Sequence, residues 1–425
     1  MAEIPTSRVQ AVLHQEARYC AHNYAPLPVV LTRGQGVRLW DVDGREYLDF
    51  MSGYSATSFG HAHPRLVEVL SRQASTLALT SRAFHSDRFG LFAQTLCKLV
   101  GLPRVLPMNT GAEAVETAIK AARKWAYAVK GVPEGQAQII VCDGNFGGRT
   151  TTIVSFSSEP QYRAGFGPYT PGFVSVPYGD AKALAAAITP HTAAFLVEPI
   201  QGEGGIRVPP AGYLAAAADV CRSRNVLFIA DEVQTGLGRT GAVLACDHEG
   251  VRPDGLVLGK ALGGGLLPVS AFLACEEVMN VFTPGDHGST FGGNPLACAV
   301  ATEALTLLMQ EQLPTRAARL GEHALEALRA IRHPAIRDVR GRGLLIGIDL
   351  DPEIISAREF CERLSRKGVL TKDTHDTVVR IAPPLVMSLD DLDRGLGIVR
   401  AVFDEIAINP AAVPVVASGR DTAVV

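Results

Sequence analysis

Apolar positions along the chain follow two textures. Over residues 28–50, PVVLTRGQGVRLWDVDGREYLDF, short β-rich runs are separated by a turn at Gly34 and Gly36 and by Asp43-Gly44, a strong hairpin dipeptide. A small antiparallel sheet is predicted there. From about residue 56, short apolar runs at 139–141, 194–197, 226–230, 256–258 and 269–274 alternate with helical stretches. Such alternation marks α/β construction around a buried, mostly parallel sheet.

Residues 295–310, PLACAVATEALTLLMQ, have the length and apolar spacing of a helix, and GEHALEALRAI continues the pattern after a break at Pro314. A domain boundary is placed there. The chain of 425 residues is long enough for two or three folding units. The predicted division is a large domain over 56–311 and a smaller α+β domain over 312–425, which the N-terminal segment, 1–55, joins. Strands are expected at 343–350 and 378–381. From about residue 409 the sequence is Ala/Val/Pro-rich and weakly patterned, which predicts a loose tail.

Composition narrows the function. Forty basic residues against 43 acidic ones leave a formal charge of -3, which offers nothing to a nucleic acid or to an anionic membrane. The eight cysteines include no Cys-x-x-Cys pair and fit a reducing compartment better than a disulfide framework. Residues 1–16 lack the apolar core of a signal peptide, and no uncharged run reaches membrane-spanning length. A cytoplasmic enzyme is expected.

Candidate chemistry begins in NVLFIADEVQTGLGRTG, where an apolar run ends abruptly in Asp231-Glu232. Ligand sites in open α/β sheets gather at the carboxyl ends of strands, although a lone acid there is more often a cap or a solvated loop residue. GLVLGKALGGG repeats the arrangement, ending an apolar run in Gly259-Lys260 before a cluster of glycines. Taken singly, Lys260 would be a surface lysine. Together, an acid and a lysine at strand ends suit pyridoxal phosphate: the lysine forms an imine, and the acid keeps the ring nitrogen protonated. In LPMNTGAEAVETAIKAARKWA, Thr110-Gly111 opens an amphipathic helix whose free N–H groups could hold a phosphate, or Thr110 could simply be an N-cap. Gly236 to Gly241 matches G-x-G-x-x-G, but no helix is expected to open inside it, so dinucleotide binding is not supported. His61 and His63 lack neighbouring ligands and read as a turn, so no metal site is expected.

Taken together, HNYAPLPVVL, LWDVDGREYLDFMSGYSA, LTSRAF, LPMNTGAEAVETA, GNFGGRT, VEPIQGEGG, FIADEVQTGLGRTG, LGKALGGGLLPVSA, HGSTFGGNPL and VVRIAPPLV resemble the class III aminotransferases of fold type I. The likeness is strongest to their ornithine-specific branch. The resemblance implies that Lys260 carries pyridoxal phosphate, that Asp231 pairs with its ring nitrogen, and that Gln234 lies near the ring hydroxyl and Phe146 on the ring face. It implies that Gly111 and Ala112 hold the phosphate, with Ser289 and Thr290 reaching it from the neighbouring subunit of a homodimer. Such dimers could pair further into tetramers. For substrate it implies Arg149 on a carboxylate, Tyr54 at the α-amino group of ornithine, and Arg380 on the α-carboxylate of glutamate or 2-oxoglutarate. Arg380 would pair instead with Glu203 when ornithine binds. The expected reaction moves the δ-amino group of ornithine to 2-oxoglutarate. The rival is another ω-aminotransferase of the class, acting on acetylornithine, 4-aminobutyrate, lysine or a diamine. Two positions depart from the pattern: His85 follows LTSRAF where Tyr is found in some ornithine enzymes, and Gly147 stands where His or Trp is common.

Overall fold

The computed structural model describes residues 7–407, so the tail expected beyond 409 lies outside the described residues. Near the N-terminus, β1 (Leu31–Gln35), β2 (Arg38–Asp41) and β3 (Glu46–Asp49) form an antiparallel meander. Its second turn holds Gly44 at φ 85°, and Asp41 Oδ1 accepts the N–H groups of Asp43 and Arg45 across it.

The central sheet is built from β4 (Arg104–Met108), β5 (Gln138–Cys142), β6 (Phe173–Val176), β7 (Thr192–Val197), β8 (Leu227–Asp231), β9 (Gly255–Leu258) and β10 (Ser270–Ala274). Its order is β4-β10-β9-β8-β7-β5-β6, and every pairing is parallel except those of β10 with β4 and β9. Successive residues of a strand face opposite sides, and both sides are covered. Phe228 and Ala230 of β8 pack into one apolar cluster with the helix Pro295–Gln310, while Leu227 and Ile229 pack into another with the helix Gly111–Trp125. That is why these strands read as apolar runs without alternation. The two strands that the apolar pattern did not signal, β4 and β6, are the sheet's edges. β4 carries Pro107, which cannot donate to a ladder and is tolerated at an edge.

The helix Pro295–Gln310 runs over the expected residues. The break after it falls at Gln312, which turns the chain at φ 50°, rather than at Pro314. Pro314 sits in the first turn of the helix Leu313–Arg329, where N–H groups go unused and proline is at home.

Next come β11 (Ile336–Arg342), β12 (Leu345–Leu350), the two-residue β13 (Val369–Leu370), β14 (Asp373–Thr374) and β15 (Val378–Ile381). An antiparallel sheet takes the order β11-β12-β15-β14, while β13 lies parallel to β3 and extends the N-terminal meander. The strand expected over 343–350 starts at Leu345, because Gly343 forms the hairpin turn at φ 55°. A Cβ on Gly343 would come within 2.4 Å of the Thr240 backbone, so only glycine fits this close approach. All eight cysteines are free, five of them buried. Among the described residues no helix is long and apolar enough to cross a membrane.

Candidate active site

Because the central sheet is mostly parallel, the segments that leave β4, β5, β7, β8 and β9 all emerge at one edge. They bring Thr110-Gly111, Phe146, Glu198, Asp231 and Lys260 to that edge. Open α/β sheets present their ligand sites there. A cavity of about 190 Å³ lies among these loops, lined by Gly111, Ala112, Phe146, Asp231, Gln234 and Lys260. Six of the residues expected at a cofactor thus meet around one space.

The helix at its base begins with a complete capping box. Thr110 Oγ1 accepts the N–H of Glu113, while the Glu113 carboxylate accepts the N–H groups of Thr110 and Asn109. The Thr110 N-cap and the anion-site readings are therefore compatible: the cap takes Glu113, and the N–H groups of Gly111 and Ala112 have no partner within the helix. Glycine fits tightly at 111, where a Cβ would stand 3.0 Å from Val233 Cγ1.

The acid pair divides its work. Glu232 is locked by Thr235 Oγ1 at 2.8 Å and by the N–H groups of Ala245 and Cys246 at 2.7 and 2.9 Å. Asp231, 8% exposed, accepts only the Val233 N–H at 3.0 Å among the described residues. Burial pushes its carboxyl up to about 6 against the Val233 bond and the Lys260 charge. Beside it Glu198 accepts the N–H groups of Phe146 at 2.8 Å and Gly202 at 3.3 Å. Burial, then the neighbouring Asp231 charge, lifts Glu198 to about 8. Asp231 and Glu198, both desolvated and with no contacting cation among the described residues, make this cavity a receptor for positive charge. Gln234 adds a buried side-chain oxygen with no partner among the described residues, while its Nε2 donates to Glu203 Oε1 at 3.2 Å.

Lys260 follows β9 in a left-handed conformation, φ 48°, which a non-glycine residue adopts only under strain. Burial lowers its ammonium pKa; Glu203 opposes that shift, Arg380 adds to it, and Asp231 and Glu198 oppose it. The direction of that shift favours the neutral amine that carbonyl chemistry needs.

A second cavity of about 1080 Å³ is lined in part by Tyr24, Tyr54, Arg149, Tyr162 and Lys372. Near it Arg380, 1% exposed, donates to Glu203 Oε1 at 3.0 Å and lies 4.8 Å from the centre of the Tyr54 ring. Its Nε and Nη1 are buried without partners among the described residues. Burial raises the Glu203 pKa, but Arg380, Lys260 and the Gln234 bond outweigh it and hold the carboxylate ionised. Tyr54 is set by a run of left-handed residues, Ser52 to Ser55, anchored by Asp49 Oδ1 on two N–H groups and by Ser52 Oγ on the Ala382 carbonyl. Backbone strain of this kind concentrates at functional positions.

Three expected residues stand apart within this chain. Ser289 Oγ accepts from Asn109 Nδ2 at 2.8 Å, Thr290 is exposed, and His85 is exposed; none of them lines either cavity. His61 and His63 face separate acids, Asp49 at 2.7 Å and Glu311 at 3.6 Å. In the G-x-G-x-x-G stretch, Arg239 is fully buried and donates to the carbonyls of Leu344 and Pro383 and to Ser58 Oγ, tying the β8 loop to the strands around Arg380. The sequence reading did not single out Glu198, Tyr24 or Tyr162. Glu198 was open to detection, since it begins the EPIQGEGG stretch directly after the apolar run of β7.

The family model Aminotransferase class-III matches residues 19–403. The ornithine aminotransferase of Geobacillus sp. (strain WCH70) is 54% identical over 397 residues, covering 93% of this chain and 99% of that protein. Among solved structures, an ornithine aminotransferase from Toxoplasma gondii with pyridoxal phosphate partially occupying its active site superposes with a TM-score of 0.93 at 47% identity, covering 94% of each chain. The acetylornithine aminotransferase of Elizabethkingia anophelis superposes with a TM-score of 0.87 at 50% identity, over 94% of this chain and 100% of that one. With its mostly parallel sheet, its strand-end lysine and acid, and a family match spanning most of its length, the chain belongs to the class III aminotransferases, enzymes that depend on pyridoxal phosphate.

Proposed function

We propose that the chain is an ornithine δ-aminotransferase that passes the amino group to 2-oxoglutarate, with pyridoxal phosphate held in the smaller cavity. The residues there fit the cofactor. The partnerless Gln234 oxygen suits the ring hydroxyl, Asp231 lacks the cation that a protonated ring nitrogen would supply, and glycine at 111 keeps the helix N-terminus open to a phosphate. Phe146, which lines the same cavity, would cover one side of the ring, and Ala112 would add a second first-turn N–H.

When bound, the cofactor supplies an electron-poor ring that makes a C–H bond beside the attached nitrogen acidic. The protein's own residues do the rest. Lys260 would hold the cofactor at rest, and its amine, when free, would move the proton at the reacting carbon. Asp231 keeps the ring nitrogen charged. Arg149 binds a substrate carboxylate in both halves of the reaction, while Tyr54 meets the α-amino group of ornithine.

The observation that carries the ornithine reading is the Arg380–Glu203 pair at 3.0 Å. With Glu203 in place, the second carboxylate anchor is neutralised and a donor with a positively charged α-amino group is tolerated. With Glu203 withdrawn, the partnerless donors of Arg380 can grip the α-carboxylate of 2-oxoglutarate. Glu203→Gln removes the neutralising charge, so the ratio of kcat/KM for ornithine to that for glutamate should fall at least about tenfold. Half-reactions followed by cofactor absorbance measure it.

We further infer a homodimer whose sites are completed by Ser289 and Thr290 of the opposite subunit. Exposed apolar side chains at Leu77, Leu79, Phe84 and Phe291 support it, since large apolar residues on a free surface favour association. A cytoplasmic location is part of the same reading. The test of function is direct: protein given ornithine and 2-oxoglutarate should yield glutamate and a pyrroline trapped by an aldehyde-reactive dye. A second reading, acetylornithine as donor, is favoured by the 50% identity to the Elizabethkingia enzyme. Strong turnover of acetylornithine with no pyrroline signal would select it.

A further inference from the structure

Arg149 lines the larger cavity and Arg380 lies beside it against the Tyr54 ring, and the two are restrained in different ways. Arg380 is held by a carboxylate, Glu203. Arg149 has no carboxylate within 4.0 Å among the described residues; its guanidinium lies 4.7 Å from the Tyr162 ring centre and 5.8 Å from that of Tyr24. An ion pair orients an arginine by consuming its N–H donors. An aromatic face orients it through the ring quadrupole and leaves those donors free.

Tyr162 has a second contact. Its ring meets Phe146 edge-on, with centres 5.9 Å apart and planes at 72°, a favourable aromatic geometry. It is carried by the four-residue helix Pro160–Arg163, whose N-cap Glu159 accepts the N–H of Tyr162 through its carbonyl at 3.1 Å. One side chain therefore touches both the arginine in the larger cavity and the aromatic residue in the smaller one.

We propose that Tyr162 is a positioning residue that holds Arg149 ready for a substrate carboxylate and registers it against the ring face of Phe146. This inference rests on the ornithine reading. It divides the anchors by function: Arg149, steadied by rings, is always available, and Arg380, masked by an acid, is available only in one half of the cycle. Loss of Tyr162 should weaken capture of carboxylate-bearing substrates without disturbing the proton chemistry at Lys260.

The test compares Tyr162→Phe, Tyr162→Leu and Tyr162→Gln in the holoenzyme, with and without Arg149→Gln, using single half-reactions. Arg149 is exposed, so the expected effect of Tyr162→Leu is about a fivefold rise in KM for ornithine and for 2-oxoglutarate, with kcat within about twofold. Tyr162→Phe keeps both ring contacts and should restore the wild-type KM. In the Arg149→Gln background, Tyr162→Leu should add less than about twofold. A full fivefold effect persisting without Arg149, or an effect falling on kcat and on cofactor absorbance instead, would overturn the proposal. Tyr162→Gln repeats the comparison should the leucine variant fold poorly. Ornithine turnover by the wild type tests the functional reading separately, so failure of one is distinguishable from failure of the other.

Discussion

Lys260→Ala is expected to lower kcat for amino transfer by more than about 10⁴-fold, because covalent attachment and proton movement both fall on this one nitrogen. The charged groups that act on it supply no second amine. They are Asp231, Glu198 and Glu203, which are acids, and Arg380, whose guanidinium does not lose its proton. Single-turnover absorbance with ornithine measures the loss. In the wild type, borohydride reduction followed by peptide mapping should place the cofactor on Lys260. A variant that retained more than a tenth of wild-type turnover, or a label on another lysine, would remove the residue from its assigned role. Binding should survive in part, since the helix N-terminus at Gly111, Asp231 and Gln234 remain.

Asp231→Asn should lower kcat by about 10³-fold, since a neutral amide cannot hold the ring nitrogen in its charged form. The same substitution has a second, opposite consequence. In the folded protein without cofactor, burial pushes Asp231 up to about 6, above its ordinary value of 3.8. The folded state therefore binds more protons than the unfolded chain between about pH 4 and 6, and the group's contribution to stability falls as pH rises through that window. Above pH 6 the deficit is on the order of 3 kcal/mol. Cofactor-free Asp231→Asn should thus unfold at higher urea than cofactor-free wild type at pH 7.5, and the difference should vanish near pH 4. Adding pyridoxal phosphate should reverse the order at pH 7.5, because only the aspartate gains a cationic partner. If the cofactor stabilised both proteins equally, Asp231 would not be its ring-nitrogen partner.

Much of this site is legible in the linear order of residues. Asp231 and Lys260 each end an apolar run, and a strand buried on both faces keeps no polar residue until it leaves the sheet. An acid or a lysine at that point therefore marks the sheet's carboxyl edge without knowledge of the fold. The capping box at Thr110 is equally local, since its partners lie three residues apart. The edge strand β4 escaped because Pro107 breaks the strand pattern, and Gly343 was misassigned to a strand because the backbone it must clear, at Thr240, is distant in sequence.

Relations between distant segments are of a different kind. Glu203 and Arg380, Tyr162 and Phe146, and Arg239 and Pro383 each join parts of the chain that periodicity cannot connect. Their chemistry depends on separations of a few ångströms, and a hydrogen bond or ring contact disappears if one loop shifts by about 1 Å. The order of residues is enough to place an amine and an acid at the rim of a buried sheet, because burial excludes polar groups from its interior. Which arginine is masked by an acid and which is steadied by rings depends on how the loops of that rim and the C-terminal strands pack together.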